Sequence, residues 1–195
     1  MDKLSYALGM SVGLNLQSDG VKEIEFNDFL EGVKDTIKSG GEVKMKPSEA
    51  QKVLNKFFNE LDTQLKAEAM AKEEKYLKEN ADKEGVQTTK SGLQYKVLVE
   101  GDGKQPGPHS RVKCHYAGRL IDGTEFDSSY KRGEPATFGL DQVIPGWTEG
   151  LQLMKVGSKY EFTLPAELGY GERGIPGHIP GNSVLNFVVE LLDVE

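Results

Sequence analysis

The chain has 195 residues, with 24 lysines and arginines against 31 aspartates and glutamates, which gives a formal net charge of -7 at pH 7. Because the basic residues are interleaved with acidic ones, the charge pattern argues against nucleic acid as a partner, since phosphates require a concentrated positive surface. No apolar run approaches the roughly 20 residues that cross a bilayer, so we expect no transmembrane segment.

The cysteine and histidine content limits which disulfides and metal sites the chain can form. Cys114 is the single cysteine, which excludes an intramolecular disulfide, and three histidines beside it are a poor supply of zinc ligands. We therefore expect no metal and no cofactor. The N-terminus lacks a long apolar signal core with a cleavage site, which predicts a cytoplasmic protein, or a periplasmic one if a signal peptide has been removed.

The first predicted helix begins near Leu4. Its apolar residues recur at i, i+4 and i+8, namely Leu4, Leu8 and Val12. Gly9 and Gly13 stand four residues apart on the same helix. They either let another helix approach closely or are simply tolerated glycines, and the sequence leaves both interpretations open.

A second helix is predicted from near Asn27 to Lys38, because apolar residues again recur at helical spacing. Its inward side chains are expected to be Phe29, Leu30, Val33 and Ile37. Gly40 and Gly41 are expected to end it.

A third, much longer helix is predicted to begin at Pro47, with Glu49 at the positive end of its dipole. No helix breaker intervenes until Gly85, so the helix would have about 38 residues and a length of about 57 Å. Its apolar stripe consists of Val53, Phe57, Leu61 and Leu65, with Leu54 and Phe58 beside it. Two short helices cannot cover this length, so part of the stripe requires another partner.

The second part of the long helix, "KAEAMAKEEKYLKENADKEG", is mostly charged, with both signs at i, i+4 spacing. This pattern is typical of a solvated spacer, and a charge-driven binding site is the alternative interpretation. The sequence therefore predicts that residues 1–85 form an all-α region with a long linking helix.

After Gly85 the apolar period changes from helical to two, which predicts β-strands. The alternating residues are Leu93, Tyr95, Val97 and Val99; Val112, Cys114 and Tyr116; Tyr160, Phe162 and Leu164; and Leu185, Phe187, Val189 and Leu191. One convincing helix follows Pro145, and it carries Trp147, Leu151 and Met154 on one face. We therefore predict an α+β protein in which residues 86–195 form an antiparallel sheet packed on a short helix.

Several kinds of catalytic chemistry are disfavoured. "GYGERG" matches a dinucleotide fingerprint, but the prolines of the following "IPGHIPG" prevent the helix that would hold a pyrophosphate. Cys114 lies mid-strand beside Val112 and Tyr116, which favours a buried structural thiol over a nucleophile. His109, His115 and His178 have no acidic partner at suggestive spacing, so we interpret them as surface residues.

The segment from Gly92 to the C-terminus resembles an FKBP-type peptidyl-prolyl cis/trans isomerase domain. The motifs that carry the resemblance are "HYAG", "DGTEFDSS", "VIPGW", "GYG" and "NFVVELL", in the family's order and near its spacing. The helical half is similar to the dimerising N-terminal region of bacterial Mip-like, FkpA-like or FklB-like isomerases. That second similarity depends on architecture more than on motifs.

The resemblance implies a twisted antiparallel sheet wrapped around a short helix, with an aromatic proline pocket between them. The residues at pocket positions are Tyr116, Phe126, Asp127, Phe138, Val143, Ile144, Trp147, Tyr170, Ile179 and Phe187. It further implies that Trp147 is the pocket floor and that the Tyr170 hydroxyl and the Ile144 N–H anchor substrate. Asp127 would act on the twisted carbonyl or orient Tyr116. Without the resemblance, "FDSS" indicates a turn or a helix cap. The alternative interpretations are that Phe138, Val143 and Phe187 are plain core and that Tyr116 and Tyr170 use their hydroxyls only structurally.

The implied activity is rotation about X-Pro bonds of peptides and unfolded protein clients, in which no bond is broken, so no catalytic triad is required. Implied partners also include macrolide inhibitors and a second copy bound through the N-terminal helices. The alternative is a proline-binding module or holdase chaperone with little isomerase activity. Ile175 replaces a residue that is often polar in the family, in a loop that touches substrate, which affects sequence preference.

Overall fold

The computed structural model describes residues 1–37 and 43–195. They form two compact units, Met1–Leu65 and Lys66–Glu195. The division falls inside the long helix, whereas the sequence predicts a boundary after residue 85, which stays a prediction. Lys38, Gly40 and Gly41, expected to end the second helix, lie outside the described residues. Within the described ranges, no helix is both long and apolar enough to span a bilayer.

The first unit contains two of the predicted helices and the first part of the third. Helix α1 spans Lys3–Ser18, and the side chain of Asp2 caps it by accepting a 2.7 Å hydrogen bond from the Ser5 N–H. Helix α2 spans Phe26–Ile37, and α3 begins at Pro47 and continues to Ala81. The helical period of the sequence therefore predicts these elements to within a few residues.

Much of the apolar surface of this unit is uncovered. Phe29 and Val33 are half-buried as predicted, but Leu30 is 52% and Ile37 is 77% exposed, so the prediction that they point inward is wrong for the single chain. The exposed apolar residues at the start of α3 are Val53, Leu54, Phe57, Phe58 and Leu65. The stripe is thus largely exposed in the single chain, and the expectation that part of it requires another partner stays a prediction.

Among residues 1–37 and 43–195, the glycines of α1 make no tight helix crossing. No described atom outside the helix lies within 4 Å of a Cβ built on Gly9 or Gly13. Their small size is therefore not required by a neighbour in the described part of this chain.

Most residues of α3 from position 66 to 81 are exposed, as predicted for a solvated spacer, but one face of the last turns is not solvated. Asn80 is buried, and its Nδ2 donates to Gln94 Oε1 at 2.8 Å and to Thr163 Oγ1 at 3.2 Å. Gln94 Nε2 in turn donates to the Leu77 carbonyl at 2.8 Å. These partners lie far along the chain, so charge spacing alone did not reveal that this face of the helix packs on the sheet.

The second unit is built on an antiparallel sheet. Within the described residues, its strands are β1 (Val86–Thr88), β2 (Gln94–Val99), β3 (Arg111–Leu120), β4 (Glu125–Ser128), β5 (Ala136–Gly139), β6 (Lys159–Leu164) and β7 (Leu185–Val194). Their order is β1-β2-β6-β7-β3-β4, and β5 pairs with β3. The four longer strands agree with the alternating pattern, whereas β1, β4 and β5, with three or four residues each, are too short to show it.

Short helices complete this unit. Helix α4 spans Ser129–Arg132, helix α5 spans Pro145–Leu151, and a 3-10 helix spans Ala166–Leu168. Helix α5 lies very close to β6, because a Cβ on Gly146 would be 2.4 Å from Leu164 Cδ2. This contact explains a glycine inside a helix. The buried side chains of Trp147 and Leu151 confirm the predicted inner face, whereas Met154, also buried, lies beyond the end of the helix and not on it as predicted.

Candidate active site

A cavity of about 460 Å³ lies in the second unit, over helix α5 and strands β3, β4, β5 and β7. Its lining residues are Tyr116, Phe126, Asp127, Phe138, Gln142, Val143, Ile144, Trp147, Tyr170, Ile175, His178, Ile179 and Phe187. All ten residues singled out from the sequence are among them. Their contribution to substrate binding and catalysis stays a prediction at this point.

Trp147 forms the centre of an aromatic cluster. Its ring makes edge-to-face contacts with Tyr116, Phe138 and Phe187, at centroid distances of 5.0, 5.5 and 5.3 Å. Trp147 is only 4% exposed and still lines the cavity. It is therefore core and cavity surface at once.

Gly118 on strand β3 makes room for the aromatic wall. A Cβ at this position would lie 2.7 Å from ring atoms of both Phe126 and Phe187, which themselves contact edge to face at 5.6 Å. Any larger residue would displace the two rings. The glycine of "HYAG" thus has a packing reason.

The polar wall of the cavity is a connected group of three side chains. The Tyr116 hydroxyl donates to Asp127 Oδ2 at 2.5 Å and accepts from Arg132 Nη2 at 2.8 Å, and Arg132 Nη1 also bonds Asp127 Oδ1. Because the hydroxyl has a single proton, Tyr116 has none left to donate to a ligand. Asp127 and Arg132 therefore fix the orientation of the Tyr116 ring.

The charges in this group are set by burial and by these hydrogen bonds. Burial by itself raises the pKa of Asp127, but the hydrogen bonds from Tyr116 and Arg132, together with the Arg132 charge, bring the pKa below its ordinary value. Burial and the bond to Asp127 raise the pKa of Tyr116 to about 12. Near neutral pH, Asp127 is an anion and Tyr116 is neutral, so the pair is unsuited to proton transfer.

Ser129, at the start of α4, holds the Tyr116 backbone from outside the cavity. Its Oγ accepts from the Tyr116 N–H at 2.7 Å and donates to the Tyr116 carbonyl at 3.2 Å. His115, the neighbour of Tyr116 on β3, lies outside the cavity, where its Nδ1 is 3.0 Å from Ser129 Oγ and its ring stacks on Tyr130. The helix-cap interpretation of "FDSS" applies to Ser128, whose Oγ accepts from Lys131 N–H.

The Tyr170 hydroxyl and the Ile144 backbone N–H at the cavity have no hydrogen-bond partner among the described residues. Tyr170 is 37% exposed, and burial together with the negative charge of Asp127 raises the pKa of its hydroxyl, which stays protonated at neutral pH. Both groups are thus available to donate to a ligand.

Sequence reasoning missed four residues of the site. Gln142, Ile175 and His178 line the cavity, and Arg132 joins the polar wall. His178 is exposed, as predicted, but it stands in a loop closed by the Ile175–Ile179 bridge, with N–H to carbonyl distances of 2.7 and 2.8 Å. Of the four, only Ile175 could be noticed in the sequence, because it departs from the family pattern in a loop that the resemblance places at the substrate.

Cys114 lies outside the cavity, fully buried in strand β3. Burial raises the pKa of its thiol to about 12. The thiolate that nucleophilic chemistry requires is therefore scarce at neutral pH, in agreement with the prediction of a structural residue.

Comparison with known proteins gives matches over the whole length, or nearly the whole length, of this chain. Residues 102–192 match the family model "FKBP-type peptidyl-prolyl cis-trans isomerase", and residues 1–97 match "Domain amino terminal to FKBP-type peptidyl-prolyl isomerase". The chain is 49% identical over 208 residues to the "FKBP-type peptidyl-prolyl cis-trans isomerase FkpA" of Aeromonas hydrophila. This alignment covers 100% of this chain and 76% of that protein. It is 45% identical over 197 residues to the "FKBP-type 22 kDa peptidyl-prolyl cis-trans isomerase" of Escherichia coli strain K12, with 97% and 93% of the two chains covered.

A solved structure agrees with these sequence matches. The crystal structure of FkpA from Escherichia coli superposes with a TM-score of 0.76 at 39% identity, and the match covers 99% of this chain and 95% of that one. The resemblance and the fold class predicted from the sequence are thereby confirmed. The chain belongs to the FKBP-type peptidyl-prolyl cis-trans isomerase family.

Proposed function

We propose that the 460 Å³ cavity over Trp147 is the place where a prolyl ring binds while the X-Pro bond rotates. The observation that carries this assignment is the aromatic cluster under an apolar cavity with one polar wall. Rotation requires the loss of amide resonance, with a barrier of about 18–20 kcal/mol, and it needs no acid or base. A twisted amide is less dipolar than a planar one, so a dry aromatic cavity favours the transition state.

The polar residues have separate tasks in this proposal. The Tyr170 hydroxyl and the Ile144 N–H, which are free of intramolecular partners within the described residues, donate to carbonyl oxygens of the substrate and anchor it. Asp127 holds Tyr116 against the prolyl ring, and its negative charge acts on the carbonyl group as it twists. Arg132 is a positioning residue, because it bonds both members of this pair.

Cis/trans exchange of a short X-Pro peptide, measured by NMR with the full chain at catalytic concentration, tests the assignment. A macrolide that binds FKBP pockets serves as the control. An acceleration of roughly 10⁴, which corresponds to about 5.5 kcal/mol of transition-state stabilisation, is expected to disappear when the macrolide is added. If the acceleration persists with bound macrolide, the catalytic site is not this cavity. If the folded protein gives no acceleration, the binding-module alternative is favoured.

We further propose that the chain forms a homodimer through its N-terminal helices. The supporting observation is the exposed apolar surface of the first unit, where Val53, Leu54 and Phe57 are 54%, 49% and 41% exposed. Exposed apolar surface that is contiguous along a helix is typical of interfaces between chains.

Sedimentation velocity at micromolar concentration is expected to give a dimer for the unmodified chain. Phe57→Glu should shift the population to monomer, because a buried unpaired carboxylate is strongly unfavourable. Lys52→Glu changes an exposed residue one turn away and should leave the dimer intact. A monomeric unmodified chain would refute the dimer, and a dimeric Phe57→Glu variant would exclude this surface.

The cellular location stays a proposal as well. We propose the cytoplasm, with the periplasm as the alternative if a signal peptide has been removed. Fractionation of cells that express the complete gene, followed by detection with an antibody to the chain, distinguishes the two compartments.

A further inference from the structure

Glu73, on the long helix α3, makes a contact that the mechanism above does not use. Its Oε1 accepts a 2.7 Å hydrogen bond from the backbone N–H of Ala166, 93 positions away in the sequence. Ala166 is buried and begins the 3-10 helix Ala166–Leu168. Because the preceding residue, Pro165, provides no side-chain cap, Glu73 supplies the acceptor that this N–H needs.

The carbonyl of Ala166 is engaged on the opposite side of the same residue. It accepts from the N–H groups of Gly169, at 3.0 Å, and Gly171, at 2.8 Å. These two glycines flank Tyr170, the cavity residue with a free hydroxyl. Ala166 therefore connects the carboxylate of Glu73, through its N–H, to both neighbours of Tyr170, through its carbonyl.

The turn around Tyr170 has two further backbone hydrogen bonds, from the Gly174 N–H to the Tyr170 carbonyl at 3.2 Å and from the Asn182 N–H to the Gly171 carbonyl at 2.9 Å. Gly171 adopts a left-handed conformation, with φ of 59°, so its geometry depends on the hydrogen bonds around it. Tyr170 is itself 37% exposed and lacks the ring packing that fixes Tyr116. The two hydrogen bonds to the Ala166 carbonyl are the ones that join this turn to the residue that Glu73 holds.

We propose that Glu73 is a positioning residue that fixes Tyr170 in the cavity wall through the backbone of Ala166. The inference rests on the proposed role of Tyr170 as a substrate anchor. It gives helix α3 a direct part in the geometry of the isomerase cavity, in addition to linking the two parts of the chain.

The test compares four variants of the full-length chain: Glu73→Ala, Glu73→Gln, Tyr170→Phe, and the double variant Glu73→Ala with Tyr170→Phe. Glu74→Ala is the matched control, because it removes an exposed carboxylate from the next position of the same helix. Peptide exchange rates by NMR give kcat/KM, and the amide signals of Gly169 and Gly171 report the turn itself.

Glu73→Ala is expected to lower kcat/KM about fivefold through misplacement of the anchor and to shift both glycine amide signals. Glu73→Gln keeps an acceptor oxygen and should stay within about twofold of the unmodified chain. In the Tyr170→Phe background, Glu73→Ala should have little additional effect, since the hydroxyl that it positions is gone.

The outcomes separate this inference from the proposed function. Unchanged exchange in Glu73→Ala, together with a clear loss in Tyr170→Phe, would overturn the role of Glu73 and keep Tyr170 as the anchor. Full activity of Tyr170→Phe would instead refute the anchor itself. Equal losses from Glu73→Ala with and without the Tyr170 hydroxyl would show a general structural effect and also overturn the inference.

Discussion

Trp147→Ala is expected to lower the free energy of unfolding by about 3–5 kcal/mol and to abolish macrolide and peptide binding. The indole is 4% exposed and contacts three aromatic rings edge to face, so its removal leaves a large void at the base of the cavity. Each lost ring pair adds about 0.5–1.5 kcal/mol beyond the buried area. Urea unfolding followed by circular dichroism and titration calorimetry with a macrolide measure the two effects.

Trp147→Phe is the matched control for this prediction. The Trp147 Nε1 is buried and has no hydrogen-bond partner among the described residues, so phenylalanine removes ring area but no hydrogen bond. We therefore expect Trp147→Phe to retain the fold and weakened binding. If Trp147→Ala bound macrolide as tightly as the unmodified chain, Trp147 would not be the floor of the binding site.

Asp127→Asn is expected to lower kcat/KM by about ten- to a hundredfold, which is ~1.4–2.7 kcal/mol of transition-state stabilisation, while the fold is retained. The amide keeps one acceptor oxygen in place of two, so it can accept from Tyr116 or from Arg132, and it has no negative charge to act on the twisting carbonyl. Peptide exchange by NMR gives the rate. An unchanged rate in Asp127→Asn would contradict an electrostatic role.

Tyr116→Phe shows whether Asp127 acts through Tyr116. If its main task is to hold the tyrosine ring, the double variant should lose no more activity than the stronger single variant. Suppression of client aggregation by Asp127→Asn, measured in the same preparation, addresses the holdase alternative. Full suppression without isomerisation would favour that alternative.

The pH dependence of stability provides an independent check on Asp127. Its folded-state pKa lies below the ordinary value, so the ion contributes stability above the unfolded-state pKa of about 3.9 and loses it as the pH falls through the lower folded-state value. We expect the free energy of unfolding of Asp127→Asn to depend less on pH below about pH 4. The effect should be small, because the Asp127 side chain is 41% exposed and solvent screens its charge.

Much of the fold follows from local patterns in the sequence. Helical spacing predicted α1, α2 and α3, and period-two alternation predicted β2, β3, β6 and β7. These predictions succeeded because each periodicity reflects which side of one element is buried, and the buried side can be identified from consecutive residues. Strands β4 and β5 were not predicted, since four residues are too few to establish a period.

The ten predicted cavity residues came from a different source, the family motifs. Asp127 shows the difference, because alone "FDSS" indicates a helix cap, and Ser128 does cap α4. Arg132 has no such motif, and it reaches Asp127 and Tyr116 only because α4 folds back beside β3.

Sequence by itself therefore determined the type and order of the main elements, the family and ten of the thirteen residues that line the cavity. Tertiary structure alone decided the polar connections: Asn80 with Gln94 and Thr163, and Glu73 with Ala166. The physical reason is the range of the interactions. Burial imposes a repeating pattern on neighbouring residues, whereas a hydrogen bond between residues up to 93 positions apart depends on strand order, register and helix placement, which leave no local pattern.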